Sequence, residues 1–174
     1  IPFIDYDASF GSIQAAKRKG NRLIIWQENK VSFVMAGQQL VKTANDGNLE
    51  TVTSGILQDK LQPYEGDYGV GLNPESLADF DGRYYWVDIK RGKACRLSNS
   101  GIDTISDYGI SKFFDEKSNE YMSIADSAAF KIYGGFNREF GEYVITFDGI
   151  SNVVLSVNGS SNGYGTANSG GVST

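Results

Sequence analysis

Short apolar runs broken by turn residues, rather than long stripes at helical spacing, dominate this chain. Arg22-Leu23-Ile24-Ile25-Trp26-Gln27 is followed by Glu28-Asn29 and then by Lys30-Val31-Ser32-Phe33-Val34-Met35. Arg83-Tyr84-Tyr85-Trp86-Val87-Asp88 leads through a turn around Arg91-Gly92 into Lys93-Ala94-Cys95-Arg96-Leu97. Glu142-Tyr143-Val144-Ile145-Thr146-Phe147, Asp148-Gly149 and Asn152-Val153-Val154-Leu155-Ser156-Val157 repeat the form. β-Branched and aromatic residues crowded between Gly, Asn and Asp predict three antiparallel hairpins. Asp-Gly supplies the positive φ that a type I′ turn needs at both central residues. Asp81-Gly82 therefore joins an outer strand, 76–80, to the strand beginning at Arg83, and Asp46-Gly47 lies beyond Gln39-Leu40-Val41-Lys42 in the first unit.

Setting Arg22, Arg83 and Glu142 in register superposes Leu23, Tyr84 and Tyr143, then Ile25, Trp86 and Ile145. The units recur at a spacing of about 60 residues, a period that points to arrays or propellers. The second is the most complete, with expected strands at 76–80, 83–89, 93–97 and 102–105, the content of one propeller blade. Its run Tyr84-Tyr85-Trp86-Val87 has no polar alternate, so both faces of that strand must be covered. The period exceeds that of short blades, which requires insertions. One is helical, near 107–122: Ser106-Asp107 can cap it, and Ile110, Phe113, Phe114, Lys117 and Tyr121 share a face. The other is the stretch from Gly66 to Ser76, read as a crossing between units.

The fold expected is thus all-β: antiparallel four-stranded blades of a partial β-propeller with one short helical insertion. Its units are a first blade-like unit and connection at 1–65, a second blade at 66–129, the start of a third at 130–159, and a flexible Gly/Ser/Asn-rich end at 160–174. The Ile1 start and that low-complexity end read as those of a fragment of a larger protein.

Composition narrows the chemistry. The net charge is −5 with a pI near 4.7, which argues against a nucleic-acid surface, since phosphate binding needs clustered cations. Lys17-Arg18-Lys19, the one basic cluster of note, reads as a solvated turn. The chain has no His, so Ser-His-Asp and Cys-His arrangements, the usual zinc sites and the commonest general base are missing. Cys95 is the single cysteine and reads as a small core residue. No apolar run approaches the roughly 20 residues of a membrane span.

Other candidates have bland explanations. Gly66-x-x-Gly69-x-Gly71 is followed by no Lys-Ser or Lys-Thr, and a strand rather than a helix is expected next, so it is no phosphate cradle. Asp5-Tyr6-Asp7 lacks the further carboxylates that Ca²⁺ needs and reads as a strand edge. Asn158-Gly159-Ser160 matches a glycosylation sequon but reads as a turn. Tyr64, Tyr68, Tyr84 and Tyr85 could form an aromatic sugar platform, though packing is the commoner use of strand tyrosines. No carboxylate pair stands out for glycoside cleavage, and the Ser-x-Asp-x-Gly-x-Thr-Trp box of sialidase-like blades is missing. No catalytic, cofactor-binding or metal residue is assigned, and no cofactor is expected.

One longer likeness remains. Gly66-Asp67-Tyr68-Gly69-Val70-Gly71-Leu72-Asn73-Pro74-Glu75-Ser76, then Tyr84-Tyr85-Trp86-Val87-Asp88-Ile89-Lys90-Arg91-Gly92, then Arg96-Leu97-Ser98-Asn99-Ser100-Gly101, Ile105-Ser106-Asp107-Tyr108-Gly109-Ile110 and Phe113-Phe114 resembles a blade of the tail muzzle or stabilisation proteins of crAss-like bacteriophages. These are similar to the nozzle propellers of other short-tailed phages. Gly134-Gly135-Phe136-Asn137-Arg138-Glu139-Phe140-Gly141-Glu142-Tyr143 resembles the start of the next blade. The likeness runs from about Gly66 to Phe147 and rests on strand, turn and packing residues. It implies a non-enzymatic structural protein of the virion tail, assembled in the bacterial host cytoplasm. It further implies ring homo-oligomers contacting other tail proteins and supporting genome ejection, with DNA passing but not specifically bound. An acidic lining would suit that passage, because like charge repels phosphate. The alternative is a carbohydrate-binding or carbohydrate-cleaving propeller used on the host surface, which exposed Tyr and Trp beside paired carboxylates would favour. A propeller scaffold from a bacterial surface protein is a third possibility.

Overall fold

The computed structural model describes residues 6–35, 61–124 and 130–149 in full, and 39–42, 49–52, 153–158 and 166–168 as backbone strands. Among the described residues the fold is mostly β, with antiparallel sheets and one α-helix. Strands β1 (Ile13–Lys19), β2 (Arg22–Gln27), β3 (Val31–Met35) and β6 (Gln62–Pro63) form the first sheet in the order β1-β2-β3-β6. Between β3 and β6 the chain makes a separate hairpin, β4 (Gln39–Lys42) with β5 (Leu49–Val52). The second sheet holds β7 (Ala78–Phe80), β8 (Arg83–Asp88), β9 (Lys93–Ser98) and β10 (Gly101–Thr104) as a meander. Helix α1 (Ser111–Ser123) comes next, and the third sheet is β11 (Lys131–Asn137), β12 (Glu142–Asp148), β13 (Val153–Asn158) and β14 (Thr166–Asn168).

Successive side chains of a strand point to opposite faces, and β8 uses both of them. Tyr84 and Trp86 pack with Ile24, Trp26 and Val31 of the first sheet, joined by Cys95 and Leu97. Tyr85 and Val87, one residue out of phase, pack with Ile132, Tyr143, Ile145 and Phe147 of the third sheet, and with Phe114 and Tyr121 of α1. The middle sheet is therefore buried on both faces, as the unbroken apolar run demands. The register set by Arg22, Arg83 and Glu142 also holds: Ile24 and Trp26 occupy the positions of Tyr85 and Val87, while Tyr143 and Ile145 occupy those of Tyr84 and Trp86.

Several boundaries differ from expectation, each for a local reason. Ser76 belongs to a 3-10 turn, Pro74–Ser76, where proline's fixed φ opens the turn. Ser76 Oγ donates to the Asn73 carbonyl and accepts from Val87 N–H, tying the turn to β8. Ile89 and Ile105 likewise leave their strands for the 3-10 turns Ile89–Arg91 and Ile105–Asp107. Ser106 and Asp107 do not cap the helix. Ser106 Oγ accepts from Ala94 N–H at 3.1 Å, and Asp107 holds Lys93 and Thr104, so α1 begins after Ile110 with no side-chain cap. Lys17-Arg18-Lys19 is the end of edge strand β1 and not a turn; charge along an edge discourages further pairing.

Asp81 and Gly82 take φ of 50° and 69°, the paired positive values expected of that turn. Asp46-Gly47 lies outside the described residues, as does the loop that would join Asn158 to Ser160. Strand β14 falls inside 160–174, the stretch whose composition suggested a flexible end; it pairs through Thr166 with Ser156 and through Asn168 with Val154.

Candidate functional site

The places where one sheet meets the next carry the most constrained geometry in the molecule. At the first junction the chain leaves β6 and runs back beneath the β2–β3 turn. Val70 N–H donates to the Gln27 carbonyl at 3.1 Å and Gly71 N–H to the Glu28 carbonyl at 3.0 Å. A Cβ on Gly69 would fall deep inside the van der Waals envelope of the Glu28 carbonyl, so backbone lies directly on backbone there and only glycine fits. Trp86 Nε1 donates to the Gly69 carbonyl at 3.0 Å, and Asp88 Oδ2 accepts from Gly69 N–H at 2.9 Å. Both polar groups of this glycine are thus held by the middle sheet.

Asp88 is fully buried and organises its surroundings. It accepts from Arg91 N–H at 3.3 Å and from the Arg91 guanidinium at 2.9 Å, which caps the turn Ile89–Arg91. Burial pushes its carboxyl above the usual range, against the opposing pull of the Gly69 N–H and Arg91. Around the rim, Lys30 reaches both the Gly66 carbonyl and Asp67, Lys17 meets Asp79, and Tyr84 donates to the Arg18 carbonyl.

The second junction uses side chains for the same task. Ile132 N–H donates to Asn73 Oδ1 at 3.2 Å, and Tyr143 donates its hydroxyl to the Ser76 carbonyl. Gly134 in β11 leaves no room for a Cβ against that same carbonyl. Burial pushes the Tyr143 hydroxyl far up, keeping it a neutral donor. Lys131 and Glu75 meet outside at 3.4 Å.

The residues singled out from sequence for chemistry take structural places instead. Cys95 is buried opposite Trp86, and burial pushes its thiol well up, which suits packing rather than nucleophilic work. Asp7 is not a strand edge: it caps the 3-10 turn Ala8–Phe10 through Ser9 N–H, while Asp5 lies outside the described residues. No cluster of three or more metal-ligating side chains occurs among the described residues. The Gly66–Gly71 stretch leads into a 3-10 turn and not into the expected strand. Its Gly69 amide is engaged by Asp88 and its Val70 and Gly71 amides by the first sheet. Of the four tyrosines considered as a platform, Tyr84 and Tyr85 are buried, and so are Trp26 and Trp86. Tyr64 and Tyr68 remain half-buried along a shallow groove with Asn99 and Ser100, where Glu65 is the one lining carboxylate among the described residues. No helix among the described residues is long and apolar enough to cross a membrane.

Sequence reasoning passed over Gly69, Asp88, Asn73 and Gly134 as junction residues. Gly134 carried a usable sign, since glycine within a strand marks a close approach of another backbone. Asp88 carried none, because its partners lie on a different element.

The family model described as Crassvirus muzzle protein matches residues 2–153. No curated protein matches the chain.

Proposed function

The chain belongs to the Crassvirus muzzle protein family, and from that premise we propose that its three sheets are consecutive blades of a propeller that assembles into rings at the distal end of the tail channel. The family makes it a structural component of the phage tail, placed in the virion with other tail proteins. Blade boundaries at 1–65 and 66–129 rest on the repeat, and the third blade starts at 130 and takes in β14, beyond 159, as its outer strand. Ring formation, assembly in the host cytoplasm and support of genome ejection extend the same reading.

One observation carries it. The middle sheet has a first-sheet face and a third-sheet face, filled from equivalent register positions, so the stack is a repeated unit that covers itself by adding the next copy. The net charge of −5 supports passage of DNA without specific binding, because a negative lining repels phosphate.

Light scattering of the full-length protein, then electron microscopy, tests the proposal. A closed ring with a central channel supports it. A stable monomer overturns the ring, and a glycan screen directed at the Tyr64–Tyr68 groove is then the next experiment.

A further inference from the structure

One cleft on the molecule opens at the edge of the second junction, where Phe80, Tyr85 and Phe136 form its floor. At the end of the stack that carries the β1–β2, β7–β8 and β11–β12 turns, a cleft of about 840 Å³ opens among Lys19, Asp81, Arg83, Arg96, Phe136 and Phe140. That volume lies within the range of small-ligand sites, on the order of 300–1,000 Å³. Three of these residues are cations and one is a carboxylate, on a chain whose net charge is −5. Asp81 offsets one of these charges, being paired with Arg83 at 3.2 Å, so the named group keeps an excess of positive charge. Arg96 is held at 3.2 Å by Asp103, which stands outside the cleft.

Lys19 differs from the other two. Its ammonium nitrogen is screened from solvent and has no hydrogen-bond acceptor among the described residues. Burial, together with the charges of Arg22 and Arg83, holds its pKa below the usual lysine value. A screened ammonium beside guanidinium groups is an unfavourable arrangement unless an acceptor of opposite charge completes it. Both guanidinium groups are flat forks that carry several N–H donors, and both line the cleft. Exposed Phe140, at 68% of its free surface, marks the lip, and Phe136 stacks on Phe80 at 4.3 Å below it. The apolar wall lowers the local dielectric and strengthens any charge–charge contact formed there.

We propose that this cleft is an oxyanion site in which Lys19, Arg83 and Arg96 together bind a phosphate or carboxylate group. Lys19 supplies a charge with no acceptor among the described residues, and the arginines supply flat, multidentate donors. A free phosphate and a carboxylate borne by an acidic protein loop share this chemistry. The proposal stands apart from ring assembly and survives if the protein proves monomeric.

The test titrates the protein with inorganic phosphate and, in parallel, with glutarate, against sodium chloride at matched ionic strength. The Lys19 side-chain resonances and the melting temperature are followed. Saturable shifts at Lys19, with its pKa rising as the anion binds, are expected, and Lys19→Gln should weaken binding at least tenfold. Arg83→Gln should weaken it by a smaller factor, and Lys19→Arg should restore it. Phosphate binding alone identifies a phosphate ligand, and glutarate binding alone identifies an acidic side chain. No saturation by either anion beyond the chloride control overturns the site, as does equal affinity in folded Lys19→Gln and parent. Should Lys19→Gln fail to fold, the parent's Lys19 titration and the Arg83→Gln affinity decide the question alone.

Discussion

The two junctions do the same structural work with different materials. At the first, between sheets one and two, the frame toward sheet one is backbone: Val70 and Gly71 amides on the Gln27 and Glu28 carbonyls, with Gly69 pressed against the turn and held from sheet two by Trp86 and Asp88. Its filling is compact, with Trp26 edge-on to Trp86 at 5.9 Å and to Tyr84 at 5.2 Å. At the second the frame is side chain, through Asn73 and Tyr143. Its filling is wider, running from the Tyr85–Tyr143 stack to the Phe114, Phe130 and Phe147 cluster under α1. A backbone frame tolerates many side chains but no added Cβ at its contact point. A side-chain frame is exposed to single polar deletions. The repeat therefore preserves an arrangement rather than a residue list.

The heaviest blow to the first junction is Trp86→Ala. It removes a fully buried indole and the donor to the Gly69 carbonyl, and should destabilise by about 3–5 kcal/mol in urea unfolding. A loss well under this would place Trp86 at the surface and return the aromatic platform to consideration. Next come Gly69→Ala and Gly134→Ala, one at each junction. Each forces a Cβ into a carbonyl, and each should cost about 1–3 kcal/mol or more as the backbone gives way. If only Gly69→Ala were costly, the two junctions would differ in backbone packing as well as in hydrogen bonding.

Tyr143→Phe isolates the side-chain frame of the second junction. Losing the donor to the Ser76 carbonyl should cost about 1 kcal/mol, and an unchanged denaturation midpoint would remove Tyr143 from that frame. Asp88 isolates the first junction by pH. Burial raises its native pKa, so the native state holds this proton more tightly than the unfolded chain does. Its contribution to stability is therefore most favourable below the usual carboxylate range and declines as pH rises through the raised native value. Carboxyl carbon titration should find Asp88 above the ordinary value and Glu28 below it, the latter lowered by the Ser12 hydroxyl and amide. An Asp88 titrating at or under the ordinary value would contradict its burial. The smallest effect belongs to Gly135→Ala: a Cβ there meets nothing within 4 Å, and stability should stay within about 0.5 kcal/mol of the parent. The adjacent pair Gly134 and Gly135 thus makes an internal control.

Much of the architecture was legible because it depends on alternation. Tyr84 to Val87 carry no polar residue, and a strand with no polar face must be covered twice. The hairpins were legible because Asp81-Gly82 can satisfy two positive φ values at little cost. The features that escaped depend on partners distant in sequence. Ser106 looks like a helix cap beside the residues after it, yet it is claimed by Ala94 across the sheet. Lys17-Arg18-Lys19 looks like a turn until β2 is seen to pair with it. The cleft at Lys19 draws on β1, the β7–β8 turn, β9 and β11, and no window of sequence holds those together.

The late arrival of β6 bears on how the molecule comes apart. This strand closes its sheet only after the chain between Met35 and Gln62 has gone out and returned, and it pairs only through Ser32 with Pro63 and Phe33 with Gln62, extended by one bond from the Tyr64 N–H to the Val31 carbonyl. Ordering so long an excursion for so few ladder contacts makes this rim the cheapest part of the stack to peel away. In amide hydrogen exchange, the N–H of Gln62 should therefore exchange early, long before those of β8. Pro63 limits the hazard of such an opening: a residue without an N–H gives an incoming strand little to pair with, so the frayed rim is a poor template for aggregation.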